Sequence, residues 1–323
     1  MKIYQSHRRE ANDSRALKVQ WRITLMSRAS ICPRTTIVTP SSIYCASDDV
    51  AFIAAPCCDW SEDLPYSEVM WLNAEEIRLL GSIMMTERFD GGQRCTFYPI
   101  PYCWLYLDPF PITVKRARAL RDLVLNHLQE SNSASLRAGI LLNPLGRMGV
   151  CFPAARLQIN LQPQLWKAVA LDNYLLLRGI YALIKSDMLA LNFEFREEAI
   201  INTFIALDAS FQLVLRLLIS RGNPNPSAKD AGNWLYKTFD EKLGLAYPAD
   251  YRYFQEFYDD RIRTLHPGSR LGDFPYAPLA ADDYSHLRSV LPGILSYLAT
   301  GIYTPEFESL FVQRNSKKFQ KPI

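Results

Sequence analysis

The strongest constraint on the fold is the series of long helical patterns that begins after Gln164. Apolar residues recur there at three- and four-residue spacing, which is typical of helices that bury one face. Strong stop signals separate the patterns: the second ends at Gly222-Asn223-Pro224, and Ser227 is a suitable N-cap for the next helix. Short joins predict an all-α bundle over residues 165–303. The five predicted helices are Trp166–Leu189, Phe193–Arg221, Ser227–Lys242, Pro248–Leu265 and Asp283–Thr300.

Residues 1–160 show a different pattern, which predicts a mixed α/β domain. Two helices are expected, one over Glu75–Arg88 behind the N-cap Asn73 and one over Thr113–Gln129. Short β-branched or aromatic runs between Pro, Gly, Ser and Asp indicate strands. These runs are Ala16–Leu25, Thr35–Thr39, Val50–Ala54, Cys95–Tyr98, Trp104–Leu107 and Ala138–Leu142. The whole chain is therefore expected to be α+β, and residues 304–323 are expected to form a basic tail.

The composition favours a folded protein over a disordered, membrane-spanning or disulfide-rich one. The 323 residues are 49% hydrophobic and 21% charged, which is typical of a chain that buries a core. No apolar run of about 18 residues lacks charge, so the sequence predicts no membrane span, and the N-terminus lacks the apolar core of a secretion signal. Seven cysteines without a Cys-x-x-Cys pair favour reduced, inert thiols in the cytoplasm over a disulfide framework or a zinc site.

Charge is unevenly distributed along the chain. The net charge is +3, but the first 28 residues carry +5 and the last eleven carry +4. Such basic ends either make weak contacts with nucleic acid or act as solubilising tails. Net charge alone does not decide between these interpretations.

The most informative segment for function is the one that contains Arg261 and His266, at the predicted end of the fourth helix. A histidine near neutral pKa can take a proton from a ribose 2′-hydroxyl or give one to the leaving oxygen. An arginine beside it can hold the phosphate and stabilise the negative charge of the transition state. The alternative is structural, because arginine near a helix C-terminus favours the macrodipole and His266 can cap the helix.

Three further residues are secondary candidates for substrate binding, namely Arg263, Arg270 and Tyr276. Arg270 is otherwise a solvated loop arginine, and the acidic pair Asp259-Asp260 can form local salt bridges or orient Arg261. The segment contains no cluster of metal ligands, so no metal and no cofactor are expected.

This segment resembles the HEPN superfamily, whose signature is an Arg followed four to six residues later by a His near the end of a long helix. The stretch from His266-Pro267-Gly268-Ser269-Arg270 to Ala281-Asp282-Asp283-Tyr284 is also similar to bacterial HEPN-like proteins. The resemblance implies a homodimer in which two Arg/His motifs meet in one cleft. It implies a metal-independent ribonuclease of toxin, abortive-infection or antiviral-defence type, or a non-catalytic module that dimerises or binds nucleotides. The family's catalytic members usually carry a polar residue after the Arg, whereas this chain has Ile262.

Short motifs of this kind arise by chance, and Arg121 to His127 is a second match that we interpret as coincidence. The N-terminal half contains no Gly-rich phosphate loop and no catalytic-triad or zinc motif. By analogy with domain order alone, the N-terminal half is expected to be a sensor or targeting domain.

Overall fold

The computed structural model describes residues 3–5, 20–57, 72–88, 94–108, 110–130, 150–242, 253–265 and 281–318. The chain divides into two compact units. One comprises Met1–Met84 with Gln93–Trp166, and the other comprises Met85–Gly92 with Lys167–Ile323. The main division thus falls close to the expected boundary at residues 160–165. The inclusion of a short segment after residue 84 in the second unit was not expected from the sequence.

The first unit is built on a six-stranded antiparallel sheet. Its strands are β1 (Ile3–Gln5), β2 (Gln20–Met26), β4 (Thr36–Val38), β5 (Ile43–Ala46), β6 (Ala51–Cys57) and β7 (Pro99–Leu107). They lie in the order β1-β7-β2-β6-β5-β4. A separate parallel pair joins β3 (Ile31–Arg34) to β8 (Val150–Pro153). Helices α1 (Ala74–Met84) and α2 (Val114–Glu130) pack against the sheet.

The two faces of the sheet follow from the alternation of side chains along β2. Trp21, Ile23 and Leu25 are buried in one hydrophobic core with Leu120 and Val124 of α2. The intervening residues of β2 point to the other face, where Arg22 and Thr24 bond to Glu76 of α1. Helices therefore cover both faces, and β2 is buried almost throughout.

Most of the predicted elements of this unit are present, with shifted ends. Asn73 caps α1 as predicted: its side chain accepts from the Glu76 backbone N–H, and its own N–H donates to the Glu76 carboxylate. The prediction of a strand over Cys95–Tyr98 is wrong, because only Thr96 makes an isolated bridge, to Ile31. The predicted strand over Ala138–Leu142 lies outside the described residues.

The second unit is helical throughout its described part. Its helices are α3 (Gln162–Ala168, shared with the end of the first unit), α4 (Tyr174–Ala190), α5 (Arg196–Ser220), α6 (Ala228–Leu235), α7 (Tyr253–Leu265), α8 (Ala281–Thr300) and α9 (Pro305–Lys318). The most extensive helix–helix contact is the one between α4 and α5. Gly179 permits their close approach, since a Cβ at this position would lie 3.2 Å from the Cβ of Ala209. The expected α+β class is therefore confirmed.

The described helices differ from the predicted ones in three places. The predicted helix Trp166–Leu189 is two helices, because the Asn173 side chain accepts from the Leu176 N–H and starts α4 anew. The helix predicted after Ser227 begins there with a full capping box to Asp230, but it changes to a π-helical turn at Tyr236–Asp240. The segment expected to be a basic tail contains α9, whose Phe307 is buried.

Candidate functional site

Arg261 lies on α7 and is held by side chains of two helices. Its Nη2 is 3.2 Å from Oδ1 of Asp208 on α5. Its guanidinium carbon is 5.1 Å from the centre of the Tyr258 ring, one turn earlier on α7. That ring in turn stacks on Phe211 of α5, with the ring centres 4.4 Å apart. These contacts therefore hold the Arg261 side chain in one position, so that it does not rotate freely in solvent.

The Arg261–Asp208 pair is partly exposed. The side chain of Arg261 is 20% exposed and that of Asp208 is 31% exposed. The Nε of Arg261 is buried and has no hydrogen-bond partner among the described residues. Burial raises the pKa of the Tyr258 phenol, Asp208 raises it further, and Arg261 opposes this. The guanidinium charge is thus oriented and partly neutralised, while one side of the group faces solvent.

The remaining predicted site residues fall largely outside the described part of the chain. His266, Arg270 and Tyr276 lie outside the described residues, and Arg263 is placed on α7 by its backbone alone. The residue that sequence reasoning missed is Asp208, the partner of Arg261. A signal for it exists, because Asp208 is the one acidic residue in the apolar stretch between residues 199 and 220.

A second cluster of charges is largely buried within the helical unit. Arg288 on α8 is 1% exposed and bonds to both oxygens of Glu87, at 2.8 and 2.9 Å, and to Asp187 of α4 at 2.7 Å. Burial by itself would lower the pKa of Arg288, but the two carboxylates raise it well above its usual range. The Tyr284 hydroxyl also donates to Asp187, at 2.9 Å. This cluster ties three parts of the chain together.

A small pocket of about 190 Å³ lies beside this cluster, lined by Ala190, Arg196, Ala199, Ile200 and Tyr284. Arg196 is exposed and also covers the ring of Phe193, at 4.6 Å. Phe193 itself is 74% exposed.

The first unit contains its own buried ion pair, Arg22 with Glu76, and both side chains are fully buried. The Arg22 guanidinium also lies over the ring of Trp104, at 4.6 Å. The neighbouring Glu75 accepts hydrogen bonds from Ser42 and from the indole of Trp166. These contacts anchor the N-terminal end of α1 on the sheet, and they account for the burial of two consecutive glutamates.

Two of the described cysteines, Cys32 and Cys151, carry thiols of low reactivity. Burial raises the pKa of Cys32 to about 12 and that of Cys151 to about 11, so both remain protonated at neutral pH. Cys45 and Cys95 are also buried. Within the described ranges, no group of three or more His, Cys, Asp or Glu residues is placed to hold a metal ion.

One helical segment, Phe193–Ser220, is long and apolar enough to cross a membrane by length and composition alone. Of its most apolar window, 44% is buried within the protein. A core helix of a bundle passes the same test, and α5 packs against α4, α6, α7 and α8.

No family model matches the chain, and no curated protein or solved structure matches it. The residues of the candidate site are therefore interpreted from their chemistry and placement.

Proposed function

We propose that the protein is a metal-independent endoribonuclease of HEPN type that acts as a cytoplasmic homodimer in phage defence or a stress response. The observation that carries the proposal is the placement of Arg261. It lies near the C-terminal end of α7, five residues before His266, oriented by Asp208 and Tyr258 and still open to solvent on one side. An arginine held in this way can meet a phosphate without first losing the rotational freedom of a surface side chain.

In the proposed reaction, His266 removes the proton of a ribose 2′-hydroxyl, whose oxygen attacks the adjacent phosphorus. The 5′-oxygen of the next nucleotide leaves and takes up the proton that His266 has removed, so that the products are a 2′,3′-cyclic phosphate and a 5′-hydroxyl. Arg261 neutralises the charge that develops on the phosphorus oxygens. In the proposed dimer, the second protomer supplies the opposite wall of the cleft.

The surface around Asp208 supports the dimer. Ile201, Ile205 and Leu215 lie on the same face of α5 as Asp208, as helical spacing requires, and all three are only partly buried. A second copy of the chain could bury this apolar face, which has one ion pair at its middle. The expected particle in solution has twice the chain mass of 37.0 kDa.

A second candidate function is favoured by the ion pair itself. Asp208 already satisfies part of the charge of Arg261, and Ile262 offers no polar side chain next to it. Under this alternative the helical unit is a non-catalytic module that dimerises or binds a nucleotide and presents the N-terminal unit to its partner.

The experiment that separates the two is cleavage of single-stranded RNA by purified protein in EDTA. We expect wild-type activity to survive EDTA and to fall at least about a hundredfold in Arg261→Ala and in His266→Ala, the effect expected of a lost acid–base or charge-stabilising group. The matched control is Arg216→Ala, an exposed arginine on α5, which is expected to keep its activity. Dimer mass and helical content are measured for every variant. Binding without cleavage by the wild type, or equal activity in all three variants, would favour the non-catalytic module.

A further inference from the structure

The exposed side of α2 is strongly basic. Between residues 114 and 124 the helix carries four cations, Lys115, Arg116, Arg118 and Arg121, against one carboxylate, Asp122. Lys115, Arg116 and Arg118 are exposed, and none of them forms an ion pair within the described part of the chain. Arg121 is 42% exposed and reaches Asp122 only at 4.0 Å. We call these four cations the α2 basic face.

The stability of the fold does not explain these charges. The first turn of α2 contains no acidic residue, and three of the cations lie in its first two turns. Lys115 and Arg116 lie in the first turn, where a cation opposes the helix macrodipole. The helix is held instead by its other side, where Ala117, Leu120 and Val124 are fully buried in the core of the first unit. Lys115, Arg116 and Arg118 have no ion-pair partner among the described residues, and their charges do not stabilise the helix, so they point to a partner outside the chain.

The spacing suits a chain of phosphates. Lys115, Arg118 and Arg121 follow each other at three-residue intervals, so each is adjacent to the next on the helix surface, and together they form a line inclined by about 45° to the helix axis. With a rise of about 1.5 Å per residue, this line advances about 9 Å along the helix axis. That length faces two or more successive phosphates, which lie about 3.4 Å apart along the axis of each strand of a duplex. Arg116 lies beside this line and extends the basic surface to one side.

An anionic membrane is a less suitable partner for the same charges. A helix that lies in a membrane interface inserts an apolar face between the lipids. In α2 that face is already used, because Ala117, Leu120 and Val124 are 0% exposed. Only a surface contact through charge is left, and this is the contact that a nucleic-acid backbone needs.

We propose that the α2 basic face binds the phosphate backbone of RNA and holds the substrate independently of the Arg261 site. The choice of RNA rests on the proposed function, whereas the choice of a phosphate chain rests on the charges of α2. Binding of this type carries no sequence preference and weakens steeply with salt.

The test uses the full-length His266→Ala protein, which does not cut under the proposed mechanism, and a fluorescein-labelled 20-nucleotide single-stranded RNA. Fluorescence anisotropy gives the Kd from 50 to 300 mM KCl. The test variant carries K115Q, R116Q and R118Q, and the matched control carries R216Q, K229Q and K237Q, three exposed cations of the helical unit. Both triple variants lower the net charge by three. We expect the test variant to bind at least tenfold more weakly at low salt, with its salt slope reduced by about 2, as three lost contacts to a single strand require. We expect the control to bind like its parent.

Equal losses in both triple variants would overturn the proposal, because net charge alone would then explain the binding. An unchanged Kd in the test variant would overturn it as well, as would binding of the parent to vesicles of anionic phospholipid but not to RNA. The two proposals fail separately. If wild type never cuts RNA but the test variant loses RNA binding, the ribonuclease is refuted and the α2 site stands. If wild type cuts and the test variant binds normally, the reverse holds.

Discussion

Asp240 allows a quantitative test of how the helical unit is packed. It ends the π-helical turn Tyr236–Asp240, is 8% exposed, and has an Oδ2 with no hydrogen-bond partner among the described residues. Burial raises its pKa from the usual 3.8 to about 6. The folded state therefore binds the Asp240 proton more tightly than the unfolded state does. Stability is greatest while this group is protonated, and part of it is lost as the pH rises from about 4 to about 6.

The size of the effect follows from the shift in pKa. About two pKa units at 1.36 kcal/mol each make ionised Asp240 cost about 3 kcal/mol at pH 7.5, and about 1 kcal/mol at pH 4.5. Asp240→Asn removes the charge at both pH values. The substitution also changes local packing, but that contribution is the same at both pH values and cancels in the comparison. The stability gained by Asp240→Asn is therefore expected to be larger at pH 7.5 than at pH 4.5 by about 2 kcal/mol.

The assay is urea denaturation followed by circular dichroism at the two pH values. The control is Glu241→Gln, which changes the exposed neighbouring carboxylate and is expected to show no pH-dependent difference of this size. If Asp240→Asn changed the free energy of unfolding equally at both pH values, the Asp240 carboxylate would not be buried and unpaired as described. A larger gain at the lower pH would refute the reasoning outright.

Three further substitutions test other contacts of the helical unit by the same denaturation assay. Arg288→Met leaves two buried carboxylates without their cation and is expected to cost about 3–5 kcal/mol, whereas loss of less than 1 kcal/mol would show that the cluster is hydrated. Gly179→Val forces α4 away from Ala209 and is expected to lower the free energy of unfolding by about 1–3 kcal/mol. Its control is Gly293→Ala, which has open space around the added Cβ and is expected to be neutral or stabilising. Equal effects of the two substitutions would contradict the close approach of α4 and α5. Ser227→Ala removes one half of the capping box of α6 and is expected to cost about 1 kcal/mol, and no change would mean that the box does not form in solution.

The features that the sequence predicts well are those encoded within a few residues. Asn73 with Glu76 and Ser227 with Asp230 are capping boxes whose two members stand three residues apart, so both helix starts can be found by inspection. The apolar stripe of α5 is likewise a local pattern, and its predicted range differs from the observed one by a few residues at most. The division into an N-terminal α/β half and a helical half follows from the same patterns.

The contacts between distant parts of the chain could not be found in this way. Arg288 and Glu87 stand 201 residues apart, and Arg22 and Glu76 stand 54 apart, so no spacing rule relates them. Each of these residues looks like an ordinary surface charge until the fold places its partner beside it. Asp208 was missed as the partner of Arg261 for the same reason, although its isolation in an apolar stripe marked it as unusual. Strands β3, β5 and β8 were missed because four residues are too few to show a period.

The proposal that Arg261 and His266 cut RNA without a metal is tested most directly by the chemistry of the product ends. Single-stranded RNA is incubated with the wild-type protein in EDTA, and the ends of the fragments are identified by mass spectrometry. The proposed mechanism predicts 2′,3′-cyclic phosphate and 5′-hydroxyl ends, since its nucleophile is the neighbouring 2′-hydroxyl. Intact RNA, or fragments with 3′-hydroxyl and 5′-phosphate ends, would contradict it.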